Sequence, residues 1–262
     1  MRYTGEKLKD KIEKFINTRQ FHMCMILFII LLIILGTLAF SLRYSIHGET
    51  KLPFELSKIT VISTVEGNNN EDTENKWNLN TFQNNDIYLY IKKNDIYDGV
   101  EVLEKVTLNN FKITKEPKVG SVKLFKPDTR EDITLFKNID DNIADNIEYI
   151  GDTEANMKQM KISNQGGLIV FRSAISDIGN YISNDDELIN HEQLLQKLNI
   201  NQDNLEYSIN FDITIKLKNE KTYQANISLD LPVENIVEAG TQSKEYTDLN
   251  DIVFKRVQKN TW

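Results

Sequence analysis

Cysteine is almost missing from this chain, and the one present, Cys24, lies inside an apolar run. A disulfide framework is therefore excluded, as is any zinc or iron–sulfur centre built from several cysteines. Histidine is nearly as scarce: His22, His47 and His191 are the three in 262 residues. A Ser–His–acid triad in the body of the chain would have to use His47 or His191. His47 is close to the apolar run, and His191 stands beside Glu192 in a polar stretch, where a solvated side chain is the simpler reading. Basic charge is in deficit too, with 31 Lys and Arg against 39 Asp and Glu and a net charge of −8. Nucleic acid is not an expected partner, because affinity for phosphate rests on positive charge. Only four prolines occur, and no Pro/Gly/Ser-rich linker divides the long C-terminal part.

What the chain does have is one long apolar segment. Met23–Leu42 reads MCMILFIILLIILGTLAFSL, without charge or proline. As a helix it would measure about 30 Å, the thickness of a bilayer's hydrocarbon core. Lipid offers no partner to free backbone N–H and C=O groups, so a helix is required there. A cleaved signal peptide competes with this reading. Its apolar core would be about 7–15 residues, however, and Thr37-Leu38-Ala39 is only a passable cleavage site. An uncleaved single-pass signal anchor is favoured, with the lipid bilayer as the first partner. The tail before it holds Arg2, Lys7, Lys9, Lys11, Lys14 and Arg19 against Glu6, Asp10 and Glu13, a balance of +3 that leaves −11 beyond the apolar run. Basic flanks stay cytoplasmic, so the N-terminus is expected inside and the acidic remainder outside. The layout is then a cytoplasmic tail at 1–22, a transmembrane helix at 23–42, a juxtamembrane linker at 43–50 and an extracytoplasmic domain at 51–262. Leu8, Ile12, Phe15 and Ile16 recur at helical spacing in the tail, which reads either as an orientation signal continuous with the anchor or as a helix lying on anionic lipid.

The outer part is patterned as strands. Tyr207, Ile209, Phe211, Ile213, Ile215 and Leu217 alternate with polar residues; after Lys218–Lys221 the alternation resumes at Tyr223, Ala225, Ile227, Leu229 and Leu231. Successive strand side chains face opposite ways, so this is a hairpin with one apolar face, ended by Pro232. Shorter alternations run over Ile59–Val65, Ile87–Ile91, Val106–Ile113, Val119–Phe125, Gly167–Ile175 and Ile252–Val257. The expected class is mainly β: a transmembrane helix followed by an antiparallel β-sandwich-like domain with one short helix. That helix is placed at Asp185–Leu198, capped by Asn184 or Asp185, with Leu188, Leu195 and Leu198 on one face. A further short helix is suggested by Ile139, Ile143 and Ile147, before a strand at Ile147–Ile150. Gly67–Lys76, polar and asparagine-rich, reads as a mobile loop. The outer part is taken as one domain, or as two β subdomains meeting near Asp140–Lys158.

Little here carries chemistry. No G-x-S-x-G, S-x-x-K, H-E-x-x-H or calcium-loop pattern occurs. Asp140-Asp141-Asn142 with Asp145, and Asn184–Glu187, are acidic clusters without ion-wrapping spacing, so no metal and no cofactor is expected. Asn226-Ile227-Ser228 matches a glycosylation sequon at the rate chance supplies. Asp177-Ile178-Gly179-Asn180-Tyr181 echoes the D-x-G-x-Y of an immunoglobulin strand, whose tyrosine hydroxyl bonds back to the backbone at a corner.

The stretches Lys51–Lys58 (KLPFELSK), Ile162–Arg172 (ISNQGGLIVFR), Ser183–Glu187 (SNDDE) and Leu229–Val233 (LDLPV) resemble a group of uncharacterised single-pass membrane proteins from low-GC Gram-positive bacteria of the clostridial kind. The resemblance spans the membrane segment and most of the outer domain. It implies location and layout, and it transfers no catalytic residue. The expected function is a non-enzymatic binding or scaffolding module that meets an envelope protein or a wall polymer. Trp77, Tyr88, Tyr90 and Tyr97 are the candidate contact aromatics, because aromatic side chains anchor interfaces. Packing within a second layer is the competing role for all four. The alternatives are a transmembrane sensor signalling through the basic tail, and a wall-acting hydrolase using an unrecognised carboxylate pair.

Overall fold

The computed structural model describes residues 15–16, 18–73, 76–127, 136, 145–156 and 158–257. It divides into two units, Met1–Gly48 and Glu49–Trp262.

The first unit holds helix α1, Arg19–His47, 29 residues long and with none of its residues buried. It begins where Thr18 Oγ1 accepts the Phe21 N–H at 3.3 Å. It ends where Gly48, at φ 65°, donates its N–H to the Tyr44 carbonyl at 2.8 Å. Glycine enters that left-handed region without steric cost, so it stops a helix cleanly. At 1.5 Å per residue α1 is about 44 Å long. It extends past the expected 23–42 at both ends, because nothing in Arg43–His47 breaks it. It is long and apolar enough to cross a membrane. Of the tail's expected helical positions, Leu8 and Ile12 lie outside the described residues, while Phe15 and Ile16 are helical.

The second unit is a sandwich of two sheets. The strands are β1 (Phe54–Thr73), β2 (Lys76–Lys93), β3 (Leu103–Lys115), β4 (Ser121–Phe125), β5 (Ile147–Gly151), β6 (Met160–Ile162), β7 (Gly166–Ile182), β8 (Tyr207–Leu217), β9 (Thr222–Leu231), β10 (Thr241–Tyr246) and β11 (Lys255–Val257). One sheet runs β10-β1-β2-β7-β4 and the other β11-β9-β8-β3-β5-β6. All pairings are antiparallel except β5 with β6. The mainly β class and the antiparallel sandwich follow the alternation read from the sequence. Strands β8 and β9 realise it most fully: every odd position from Tyr207 to Leu217 is buried, and the even ones are partly exposed. Between the sheets, Phe111 stacks on Phe211 and both meet Phe171 edge to face, with ring centroids 5.1 to 5.3 Å apart, joining β3, β7 and β8.

Three local expectations are corrected. Gly67–Thr73 is strand rather than loop: β1 and β2 pair as one long hairpin out to Thr73 opposite Lys76, with residues 74 and 75 outside the described residues. Polar residues hid this, since the inward positions Thr81, Gln83 and Asn85 of β2 break the apolar alternation although all are fully buried. The helix expected over Asp185–Leu198 begins only at His191, as a 3-10 turn (His191–Gln193) running into α2 (Leu194–Lys197), and its cap is Asn190. Leu194 and Leu195 are buried there, whereas Leu188 is 95% exposed in the preceding loop. The D-x-G-x-Y echo does not build a tyrosine corner: Tyr181 donates its hydroxyl to Glu187 at 2.9 Å rather than to backbone. The helix expected around Ile139 and Ile143, and the acidic cluster Asp140–Asn142, lie outside the described residues. Two further short helices among the described residues are α3 (Gln202–Leu205) and α4 (Ile236–Ala239), which bury Leu205, and Ile236 and Val237.

Candidate binding surfaces of the outer domain

The four contact aromatics are not brought together. Tyr88 is half-buried on the outward face of the β10–β4 sheet, packed on a second apolar cluster of Phe125, Phe136, Val170 and Ala174. Burial and then the neighbouring Asp86 charge push its hydroxyl pKa up. Tyr90 lies under the Lys58 ammonium, 4.5 Å from the ring centroid, and Lys58 is held by Glu245 at 2.7 Å. Tyr97 donates its hydroxyl to Glu101 at 2.9 Å, and Glu101 also takes Lys221 at 3.0 Å. Each of these rings already has a packing role. Trp77 differs: it is 48% exposed near the end of the long hairpin. Backbone and hydroxyl bonds clamp it to Ser183, with Trp77 N–H to Ser183 Oγ at 2.8 Å and Ser183 N–H to the Trp77 carbonyl at 2.9 Å. Beside it Ile182, opposite Asn78 in the ladder, is 65% exposed.

The hairpin is braced in its outer part, where Gly67 lies opposite Thr81. The Gly67 N–H donates to His191 Nδ1 at 3.1 Å, and a Cβ on Gly67 would meet Leu194 Cδ1 at 2.8 Å. His191 is exposed and acts as a backbone acceptor in this brace. The loop before it is pinned by Glu187, which accepts from Lys197, the Asn184 N–H and the Tyr181 hydroxyl. Those contacts, Lys197 first, hold the Glu187 carboxyl down at about 2.

Between the sheets lies a polar network that the sequence reading missed. Ser63 donates to Asn85 Oδ1 at 2.6 Å and accepts the Val233 N–H at 2.9 Å. Asn85 and Gln83 exchange amide bonds at 2.9 Å. Asn85 Nδ2 also donates to the Tyr207 hydroxyl at 2.9 Å, and that hydroxyl meets Ser173 Oγ at 2.7 Å. All five residues are 0–1% exposed. Burial drives the Tyr207 pKa far up. A sealed hydroxyl of that kind ties β1, β2, β7 and β8 together but meets no substrate. The only signal in the sequence was polar residues at inward strand positions.

Two clefts among the described residues bear on binding. One, about 410 Å³, lies between β9 and β10 and is lined by Lys115, Glu206, Ser228, Asp230, Lys244 and Tyr246, with Tyr207 also contributing. The other, about 620 Å³, is a polar trough including Asp212, Gln224, Asn226, Asp251 and Lys255. Asp212 there is occupied by Asn110, Gln224 and Asn226 amides at 2.7 to 2.9 Å. Among the described residues no group of three or more His, Cys, Asp or Glu side chains is placed to hold a metal ion. No protein-family model, curated protein or solved structure matches the chain.

Proposed function

We propose that this protein is a membrane-anchored binding or scaffolding module of a Gram-positive cell envelope, with its N-terminus cytoplasmic and its β-domain outside. The observation that carries the reading is α1: 29 residues, long and apolar, none of them buried. Leaving its Leu, Ile, Met and Phe side chains in water would forgo about 1.5–3 kcal/mol each, and a bilayer removes that cost. The basic tail sets the orientation. The half-exposed Trp77 on a braced hairpin supplies the contact surface, because an exposed tryptophan on a rigid support loses little entropy on binding. Its partner is an envelope protein or wall polymer, and the module works by holding that partner at the membrane, without turnover.

The test has two arms in intact cells. Protease added outside should remove a C-terminal epitope without permeabilisation. A photo-crosslinking residue at position 77 should give a discrete adduct that is lost when the same residue is moved to position 88. Protection of the epitope until the membrane is breached overturns the orientation. Recovery of the uncrosslinked chain alone overturns the contact role of Trp77.

A further inference from the structure

Both sheets stop short on the same side of the sandwich. β10 ends its sheet, with β1 as its one neighbour among the described residues. β11 covers β9 only at Thr222, Tyr223 and Gln224. From Asn226 to Leu231 the far edge of β9 therefore carries no strand among the described residues. Alternate residues of an antiparallel strand turn N–H and C=O to that far edge, so such groups recur about 6.8 Å apart. The Ser228–Leu231 part of this edge faces Lys244 and Tyr246 of β10 across the 410 Å³ cleft, while Asn226 lines the neighbouring trough.

The charges in the cleft are largely answered from within. Lys115 pairs with Glu206 at 2.7 Å, and Asp230 takes the Ser208 hydroxyl at 2.6 Å. No concentration of positive charge awaits a phosphate, and the Tyr246 ring is already taken by the Lys244 ammonium, 5.1 Å from its centroid. A bare ladder edge matches a ligand that brings regularly spaced N–H and C=O groups, which is an extended polypeptide.

We infer that the cleft between β9 and β10 is a peptide-binding seam, in which an extended segment of a partner protein adds as a strand to the Asn226–Leu231 edge. Every second side chain of the guest faces the space between the sheets, beside the buried Leu229, Leu231 and Val233, so the guest is alternating and apolar on one face. The hydroxyl and carboxylate of Ser228 and Asp230 stay on the wet face. An open edge of this kind is ordinarily a liability unless a partner covers it. The inference rests on reading the outer domain as a binding module, but its test uses neither the anchor's orientation nor Trp77.

The full chain, purified in detergent, is titrated with an acetylated and amidated octapeptide of alternating Val and Thr. Amide hydrogen exchange is read by segment. The same peptide with every backbone nitrogen methylated is the control, since it keeps the side chains and loses the ladder donors. The expected result is exchange at least tenfold slower over Asn226–Leu231, with the methylated peptide at least tenfold weaker. Unchanged exchange in that segment, protection confined to another strand, or equal action of the methylated peptide overturns the inference. A free protein that already protects this edge in a concentration-dependent dimer also overturns it, because the guest would then be a second copy.

Discussion

Replacing Tyr207 by Phe is the sharpest probe of how this sandwich is held together. The substitution keeps the ring, which is 1% exposed, and deletes only the hydroxyl. Two groups lose it: Ser173 Oγ at 2.7 Å and Asn85 Nδ2 at 2.9 Å. Asn85 Nδ2 keeps Gln83 Oε1 at 2.9 Å, so the Ser173 hydroxyl bears most of the loss. Leaving a buried polar group unsatisfied costs about 1–3 kcal/mol, and losing one bond of a shared donor costs about 0.5–1.5 kcal/mol. The sum for Y207F is about 3 kcal/mol, which for a domain of this size lowers Tm by roughly 6–12 °C. The assay is equilibrium urea unfolding of the full chain in detergent, followed by far-ultraviolet circular dichroism, with the slope checked for constancy. Y207F together with Ser173→Ala removes both partners of the 2.7 Å bond. It should cost less than the two single changes added, with a coupling of about 0.5–3 kcal/mol. A Y207F protein within about 0.5 kcal/mol of the parent, or strict additivity of the pair, would refute the network's role.

Other expectations follow from individual positions. Thr81 is fully buried and its hydroxyl has no partner, so Thr81→Val, nearly the same shape, should raise the unfolding free energy by about 1 kcal/mol; a loss of stability would sink that reading. Gly240 sits at φ 67° and a Cβ there would stand 2.3 Å from Glu192 Cα, so Gly240→Ala should destabilise by at least about 1–2 kcal/mol, and a neutral thermal melt would contradict the packing of α4 on the His191 turn. Glu187 has a folded pKa near 2 against an ordinary 4.5, so its contribution is present above about pH 4.5 and disappears as pH falls through 2. The stability gap between the parent and Glu187→Gln should therefore be widest at neutral pH and close below about pH 2; a gap that widens on acidification would reverse the assignment.

Much of the architecture could be read before any coordinates, and its limits are physical. An apolar stretch from Met23 to Leu42 needs no tertiary information, because length and the lack of charge alone match a bilayer. Strands β8 and β9 were equally plain, since period-two alternation reports a face, and one face of each is buried. Strand β2 was legible only from Ile87 onward. Its inward Thr81, Gln83 and Asn85 look like loop residues until the second sheet buries them and Ser63 of β1 and Tyr207 of β8 bond Asn85, which in turn holds Gln83. The start of the helical turn was misplaced for a related reason: Leu188 has the spacing of a buried residue, but nothing in the fold covers it.

The candidate surfaces depended more heavily on the tertiary structure. Composition named four aromatics, and the fold gave packing roles to Tyr88, Tyr90 and Tyr97 while leaving Trp77 outside. The bare edge of β9 has no sequence signature at all. Whether a strand is central or marginal depends on which distant segment lies beside it, as with Thr60 against Glu245 in the β1–β10 pair. The sequence by itself determined the membrane-length helix, the class of the domain and the faces of its best strands, because these are local properties of spacing and polarity. Strand order, the sealed Tyr207 network and the open seam between β9 and β10 were decided only by tertiary structure, because they arise from pairings between segments far apart in the chain.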